Sequence, residues 1–238
     1  MIELNGRLRL HESFRHETVR VGTELAPVLV VDNFLSDPQV LIDYAATAGS
    51  FVADDGTFYP GVRAVMPPIY TFAVRAFLGH LIAAAFGLGG RQVAKELSHF
   101  SLLTTRPEGL QPLQRLPHFD NTDPLQLAVL HYLSPVAQGG TSFYRHRTSG
   151  FESMRTDRLA AYSALLDAEV ASAGLPPPAY IHGDTPLFER LTSFDGVFNR
   201  LLVYRSISLH SADVAPDFRF DTDARTGRLT ANTFFYYR

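Results

Sequence analysis

The chain has 238 residues, a formal net charge of −3 and no cysteine. That length suits one packed domain. The charge leaves no basic surplus for a nucleic acid backbone or an acidic membrane surface. The lack of cysteine removes disulfides, thiolate metal sites and a cysteine nucleophile, and fits a reducing compartment such as the cytoplasm.

The first twenty residues, MIELNGRLRLHESFRHETVR, carry no apolar h-region, so no signal peptide is expected. APVLVVDNFLSDP then runs from an apolar stretch into a helix start. Ser36 is placed to cap, Pro38 suits the first turn and Gln39 completes a capping box. Val40, Leu41, Tyr44, Ala45 and Ala48 recur at helical spacing before Gly49. A Gly/Pro-rich loop is expected over 54–68, followed by a buried core helix over 69–86. That segment contains Arg75 and His80, so it reads as core rather than as a membrane span.

From residue 96 the pattern changes to short β-branched and aromatic runs: ELSHFSLLTT, LQLAVLHYLS, TSFYRHR, NRLLVYRSISLH and GRLTANTFFYYR. An interruption at about 150–196 holds one amphipathic helix, with Leu159, Tyr162, Leu166, Val170 and Ala173 in a stripe and Gly174 as its stop. A second short helix is expected at Thr185-Pro186. The expected organisation is one mainly β domain over 1–238. Residues 1–95 form helical support, and 96–238 form a sandwich or barrel that carries the helical insert.

Two His-x-Asp pairs compete for chemistry. Nine histidines and 15 aspartates predict roughly half a match by chance, so the motif alone says little. His182-Gly-Asp184 lies before the expected helix start, where Asp184 or Thr185 would serve as a cap. His118-Phe-Asp120 differs, because on a strand both side chains point to one face. An imidazole and a carboxylate there make two-thirds of the facial triad that holds non-haem Fe(II). His210, ending NRLLVYRSISLH, is the best second histidine, and an unbroken strand would put Ser206 and Ser208 on its face. His131 and His99 read as hydrogen-bonded core histidines, and His146, among arginines, as part of a polar rim.

The order His-x-Asp, VLHYLSP, GGTSFY, a strand ending in His210, then GRLTANTFFYY resembles the Fe(II)/2-oxoglutarate-dependent dioxygenases, most closely their prolyl-hydroxylase-like branch. The resemblance covers about residues 96–238. It implies a double-stranded β-helix of the jelly-roll kind, with N-terminal helices preceding it. It further implies Fe(II) on His118, Asp120 and His210, and 2-oxoglutarate as co-substrate. Arg228 would bind the far carboxylate, since a guanidinium matches a carboxylate with a planar fork. Thr230, two residues on, and Tyr132 would add hydrogen bonds. Arg219 and Arg225 compete for the arginine role; Arg228 is preferred because it opens the terminal strand. The implied reaction is hydroxylation of a C–H bond of a small-molecule or peptidyl substrate by dioxygen. The alternatives are a jelly-roll module that binds metal without turnover, and a cupin-like metalloenzyme that does not use 2-oxoglutarate. The helical insert is a plausible lid.

Overall fold

The computed structural model describes residues 4, 6–53, 59–136 and 139–238. Part of the expected loop at 54–68 lies outside the described residues. A hairpin comes first: β1 (Arg15–Val21) pairs with β2 (Ala26–Asp32). Then follow α1 (Gln39–Ala48), β3 (Val52–Ala53), β4 (Gly61–Val65), α2 (Pro68–Phe86) and β5 (Val93–Leu103). After two single turns of 3-10 helix at Pro107–Gly109 and Pro112–Arg115 come β6 (Gln126–Tyr132), β7 (Gly140–His146) and α3 (Thr156–Ala173). The chain finishes with β8 (Phe188–Asp195), β9 (Leu201–Arg205), β10 (His210–Asp213) and β11 (Leu229–Tyr237).

The strands form two antiparallel sheets. The large one runs β1-β2-β9-β6-β11-β5-β4-β3 and the small one β10-β7-β8. β6 lies in the middle of the large sheet and every one of its residues is buried, which is why its sequence reads as an apolar run rather than an alternation. Its odd-numbered side chains, such as Leu127 and Val129, join a core built with α1 and α2. Its even-numbered ones, Ala128, Leu130 and Tyr132, face the small sheet through Phe143. In α2, Tyr70, Val74, Leu78 and Ile82 make an i, i+4 stripe that is fully buried in the helix-side core. The helix is long and apolar enough to cross a membrane by length and composition. It ends where Gly87 takes a left-handed φ of 66°.

Several expectations change. The N-terminal third is not a helical layer preceding a barrel: β1 to β4 extend the large sheet on both sides. The polar-rich β1 and the five-residue β4 both lack the aromatic density that marked the later ones. The interruption at 150–196 is only partly helical. No helix starts at Thr185; instead the Phe188 amide donates to Thr185 Oγ1 at 3.0 Å, and the chain turns into β8. Ser36 makes no cap, since Pro38 is the N-cap of α1 and no side-chain capping bond forms.

One buried carboxylate ties the first hairpin to the later chain. Glu152 accepts bonds from the Thr23 amide (3.0 Å) and hydroxyl (2.9 Å), from the Glu24 amide (3.0 Å) and from Arg145. Burial works to raise its pKa, but these donors outweigh it and hold the group below the usual carboxylate range. Gly22, at φ +66°, makes room for it: a Cβ there would lie 2.0 Å from a Glu152 oxygen.

His131 is a core histidine, as its apolar strand suggests. Asn199 Nδ2 donates to the Leu35 carbonyl at 2.8 Å, so Asn199 Oδ1 is an acceptor. His131 Nε2, 3.1 Å from that oxygen, therefore carries the proton, and Nδ1 accepts from the Tyr70 hydroxyl at 3.1 Å. Burial lowers the imidazole pKa from 6.5 to about 4. The folded pKa is depressed, so the unfolded chain binds the extra proton first as pH falls. The stability contributed by neutral His131 is present above pH 6.5 and is lost as pH falls toward 4, by about 3 kcal/mol in all. Urea unfolding across this window should show that loss in the wild type and a flatter pH slope in His131→Gln; equal slopes would contradict the assignment.

Candidate metal centre

His118 leaves the second 3-10 turn on a stretch that pairs with the start of β10. Its amide donates to the His210 carbonyl at 2.9 Å, and the His210 amide returns a bond to the His118 carbonyl at 2.8 Å. This reciprocal pair is the closely spaced motif of an antiparallel ladder. It brings the two rings to a centroid distance of 4.3 Å. Two residues on, the Asp120 amide donates to the Ser206 carbonyl at 2.8 Å. His118 Nε2 lies 3.7 Å from one Asp120 oxygen, and His210 Nε2 lies 3.8 Å from the other. The ligand atoms of all three residues fall within 4.8 Å of one another, a spacing that suits a shared divalent ion.

The strand expected to run unbroken to His210 is broken. β9 stops at Arg205, and a turn closes with the Ser208 amide on the Arg205 carbonyl at 3.0 Å. Ser206 and Ser208 therefore act through their carbonyls rather than their hydroxyls. The Ser208 carbonyl accepts from His210 Nδ1 at 2.9 Å. That bond fixes the proton on Nδ1 and leaves the Nε2 lone pair toward Asp120.

The triad opens onto a cavity of about 570 Å³ between the two sheets. The His118 side chain is 50% accessible because it faces this space, whereas that of His210 is 6% accessible. The cavity walls still displace most bulk water. Desolvation, then the nearby His210 and Arg63, hold His118 well below the ordinary imidazole range, which keeps it neutral. Desolvation raises Asp120, partly offset by His210 and Arg63.

Arg228, one residue before β11, lines the same cavity and is buried. Its Nη2 donates to the Gly140 carbonyl at 2.8 Å, and its guanidinium sits 5.8 Å from the centre of the Tyr132 ring. Gly140 itself sits tight against β8, since a Cβ there would lie 2.2 Å from the Phe194 carbonyl oxygen. Thr230 also lines the cavity, with Oγ1 bonded to Asn232 Oδ1 at 2.7 Å. Tyr132 lies beneath Arg228 with its hydroxyl on Thr141 Oγ1 at 2.7 Å, and it is not among the residues lining the cavity. The competing arginines stay outside: Arg219 and Arg225 are exposed, and Arg225 reaches Asp43 at 4.0 Å.

The other His-x-Asp pair is pulled apart. His182 Nδ1 bonds Asp213 at 2.5 Å, while Asp184 accepts the Arg190 amide at 2.7 Å. Asp213 also accepts from Ser142 (2.5 Å) and Ser193 (2.9 Å) on the outer face of the small sheet. Burial works to raise the Asp213 carboxyl, but the bonds from Ser142, His182 and Ser193 hold it below its usual range.

Other cavity residues had no mark in the sequence reading. Arg63 on β4 and Tyr59 just before it line the cavity, with the guanidinium 4.8 Å from the ring centre. Residues 61–65, bounded by Pro60 and Pro67, carry a strand signature that the surrounding Gly and Pro disguise. Tyr204 lines the cavity too, with its ring 4.7 Å from His210, while His99, expected as a core histidine, is only half-buried and lines the cavity instead. His146 is no rim residue. It is fully buried, bonded to Glu169 of α3 at 2.8 Å and to Ser149 at 2.9 Å. Its neighbour Arg145 points to the other face of β7, which the strand period could have revealed.

A protein family described as a family of unknown function (DUF6445) matches residues 12–235. The chain belongs to that family. No curated protein matches. Among solved structures, the chain is similar to the non-haem α-ketoglutarate-dependent carbocyclase SnoK from nogalamycin biosynthesis, at 14% identity and a TM-score of 0.49, covering 87% of this chain and 78% of that one. It is also similar to the epimerase SnoN from the same biosynthesis, at 12% identity and 0.48, covering 91% and 78%. A third is HygX from Streptomyces hygroscopicus with nickel, 2-oxoglutarate and hygromycin B bound, at 14% and 0.44, covering 89% and 84%. At these scores the architecture rests on the strand pairings above.

His182→Ala removes one of several partners of Asp213 at a half-exposed position. It should cost about 1 kcal/mol in chemical denaturation and leave divalent metal affinity unchanged. Loss of metal binding in this variant would transfer the site to the wrong pair.

Proposed function

We propose that the protein is an Fe(II)- and 2-oxoglutarate-dependent oxygenase that oxidises a C–H bond of a small-molecule or peptidyl substrate. The observation that carries this reading is the convergence of His118, Asp120 and His210 in the same cavity as the buried guanidinium of Arg228. The donor set fits the metal: two imidazole nitrogens and one carboxylate, with the remaining directions open to the cavity.

In this reading His118 Nε2, His210 Nε2 and the Asp120 carboxylate hold the ion. The carbonyls of Ser208 and Ser206 keep two of those ligands in place by bonding His210 Nδ1 and the Asp120 amide. Arg228 offers two-pronged bonding to the far carboxylate of the co-substrate, with the Thr230 hydroxyl beside it. When bound, the metal and 2-oxoglutarate supply dioxygen-dependent C–H oxidation coupled to decarboxylation of the co-substrate to succinate. The protein contributes orientation and a water-poor cavity. Tyr204 stays protonated against His210, because burial, then Asp120, raises its hydroxyl pKa well above the ordinary value.

Anaerobic titration with Fe(II) and then 2-oxoglutarate tests the reading through the weak visible charge-transfer band of the chelate. The wild type should develop the band. His118→Ala and His210→Ala should lower metal affinity by roughly tenfold or more. Iron binding without the band in folded wild type would contradict the reading. Arg228→Ala should keep metal affinity while weakening 2-oxoglutarate by roughly 100-fold, with Arg228→Lys between the two. Undiminished 2-oxoglutarate affinity in Arg228→Ala would exclude its role.

A further inference from the structure

We infer that Gln126 is a substrate-binding residue, whose side-chain carbonyl accepts a hydrogen bond from a hydroxyl or amide N–H of a substrate with an apolar body. This inference rests on the oxygenase reading above and deepens it by naming the substrate class.

The first observation is an orphaned acceptor. Gln126 opens β6 and is 2% exposed. It lines the cavity, yet its Oε1 is shielded from water and has no hydrogen-bond partner among the described residues. A buried acceptor left unpaired costs the free energy of its lost hydration, and a ligand donor recovers that cost. The terminal torsion of glutamine is soft, so a small rotation turns the oxygen further into the cavity.

The second observation is position, and backbone bonds fix it. The Ser206 amide donates to the Gln126 carbonyl at 3.0 Å, and the Ser206 carbonyl accepts from the Asp120 amide at 2.8 Å. One residue thus stitches Gln126 to a candidate metal ligand. The groups for the far carboxylate of the co-substrate lie elsewhere. Thr230 pairs with Tyr132 at the end of β6, whereas Gln126 pairs with Tyr236 at its start. These two pairs are separated by about 20 Å along the strands. Arg228 and Gln126 therefore serve opposite ends of the cavity, and a substrate group on Gln126 sits at the metal end.

The third observation is the surface around Gln126. The next pair facing the cavity is Ala128 with Phe234, and Phe234 pairs on its other side with Leu97 of β5. All three line the cavity, and the loop before β6 adds Leu113 and Leu116. Leu97 and Leu113 are exposed, so hydrocarbon stands at the rim for a ligand to cover. Asp120 is the one carboxylate among the described residues of the lining. With Asp120 committed to the metal, no carboxylate among them would balance an ammonium group, so the donor that suits Gln126 is neutral. A ligand with a hydroxyl or amide N–H on Gln126 and an apolar body on these side chains satisfies both surfaces.

The test uses the full chain with Ni(II) in place of iron and saturating 2-oxoglutarate. Calorimetry first measures 2-oxoglutarate affinity. A series of ω-phenyl alcohols with two to six chain carbons is then titrated beside the matching methyl ethers, which lack the donor. The wild type should bind at least one alcohol roughly tenfold more tightly than its ether. Gln126→Met removes the amide at similar volume. It should abolish that preference while holding 2-oxoglutarate affinity within about twofold, which also reports that the variant is folded. Gln126→Asn draws the same amide back from the cavity and should lose most of the preference; it carries the test if Gln126→Met does not fold. Tyr236→Phe should keep the preference. No preference across the series in the wild type, or a preference undiminished in the folded Gln126 variants, overturns the inference and leaves the oxygenase reading standing. A preference lost in Tyr236→Phe also overturns it, by moving the acceptor to the Tyr236 hydroxyl. So does a loss of 2-oxoglutarate affinity by about tenfold in the Gln126 variants, which would assign Gln126 to the co-substrate. Failure of the wild type to bind 2-oxoglutarate at all overturns both.

Discussion

The pair of backbone hydrogen bonds between His118 and His210 is the constraint on which the site depends. One residue precedes β6 and the other starts β10, and they are far apart in sequence. The two bonds make them directly opposed partners, so the imidazoles cannot separate without breaking the ladder. Asp120 follows from the same stitch, because its amide lands on the Ser206 carbonyl exposed where β9 breaks off. The turn between β9 and β10 therefore serves two ends. It moves the chain from the large sheet to the small one, and it presents two carbonyls, of Ser206 and Ser208, that orient two of the three candidate ligands.

The cavity is built from both ends of the chain. β4 brings Arg63 and the chain just before β11 brings Arg228, with β5 between the two strands. The small sheet covers them, and the Gly140 carbonyl on its central strand accepts from the Arg228 guanidinium. Positive charge is concentrated where the described lining has a single carboxylate, while α3 and the loop before β6 supply the apolar side. The helix of the insert is thus a wall of the cavity, tied down through Glu169 to the buried His146.

Much of the second half of the fold was legible in the sequence. Aromatic and β-branched runs gave the positions of β5, β6, β7, β9 and β11, and the stripe around Tyr162 gave α3. The triad was legible because His118, Asp120 and His210 fall in a recognisable order ahead of Arg228. The failures share a cause. β1 (RHETVRV) is rich in polar residues and β4 (GVRAV) has only five residues between Gly and Pro, so single-chain periodicity is weak, and tertiary pairing decides their state. The break after Arg205 was invisible because SISLH keeps the polar–apolar alternation of a strand, and only the switch between sheets interrupts it. Arg63 was missed with its strand. The His182-Gly-Asp184 pair was correctly set aside, although the cap expected after it is a turn into β8 and not a helix. Its real partner, Asp213, lies beyond any local pattern.

The most direct test is crystallographic. Crystals grown anaerobically with Fe(II) and 2-oxoglutarate should show one anomalous iron peak, bounded by His118 Nε2, His210 Nε2 and the Asp120 carboxylate. The far carboxylate of 2-oxoglutarate should lie against Arg228. An iron peak at His182 or on the outer face of the small sheet, or a co-substrate carboxylate seated on Arg63 instead of Arg228, would contradict the account.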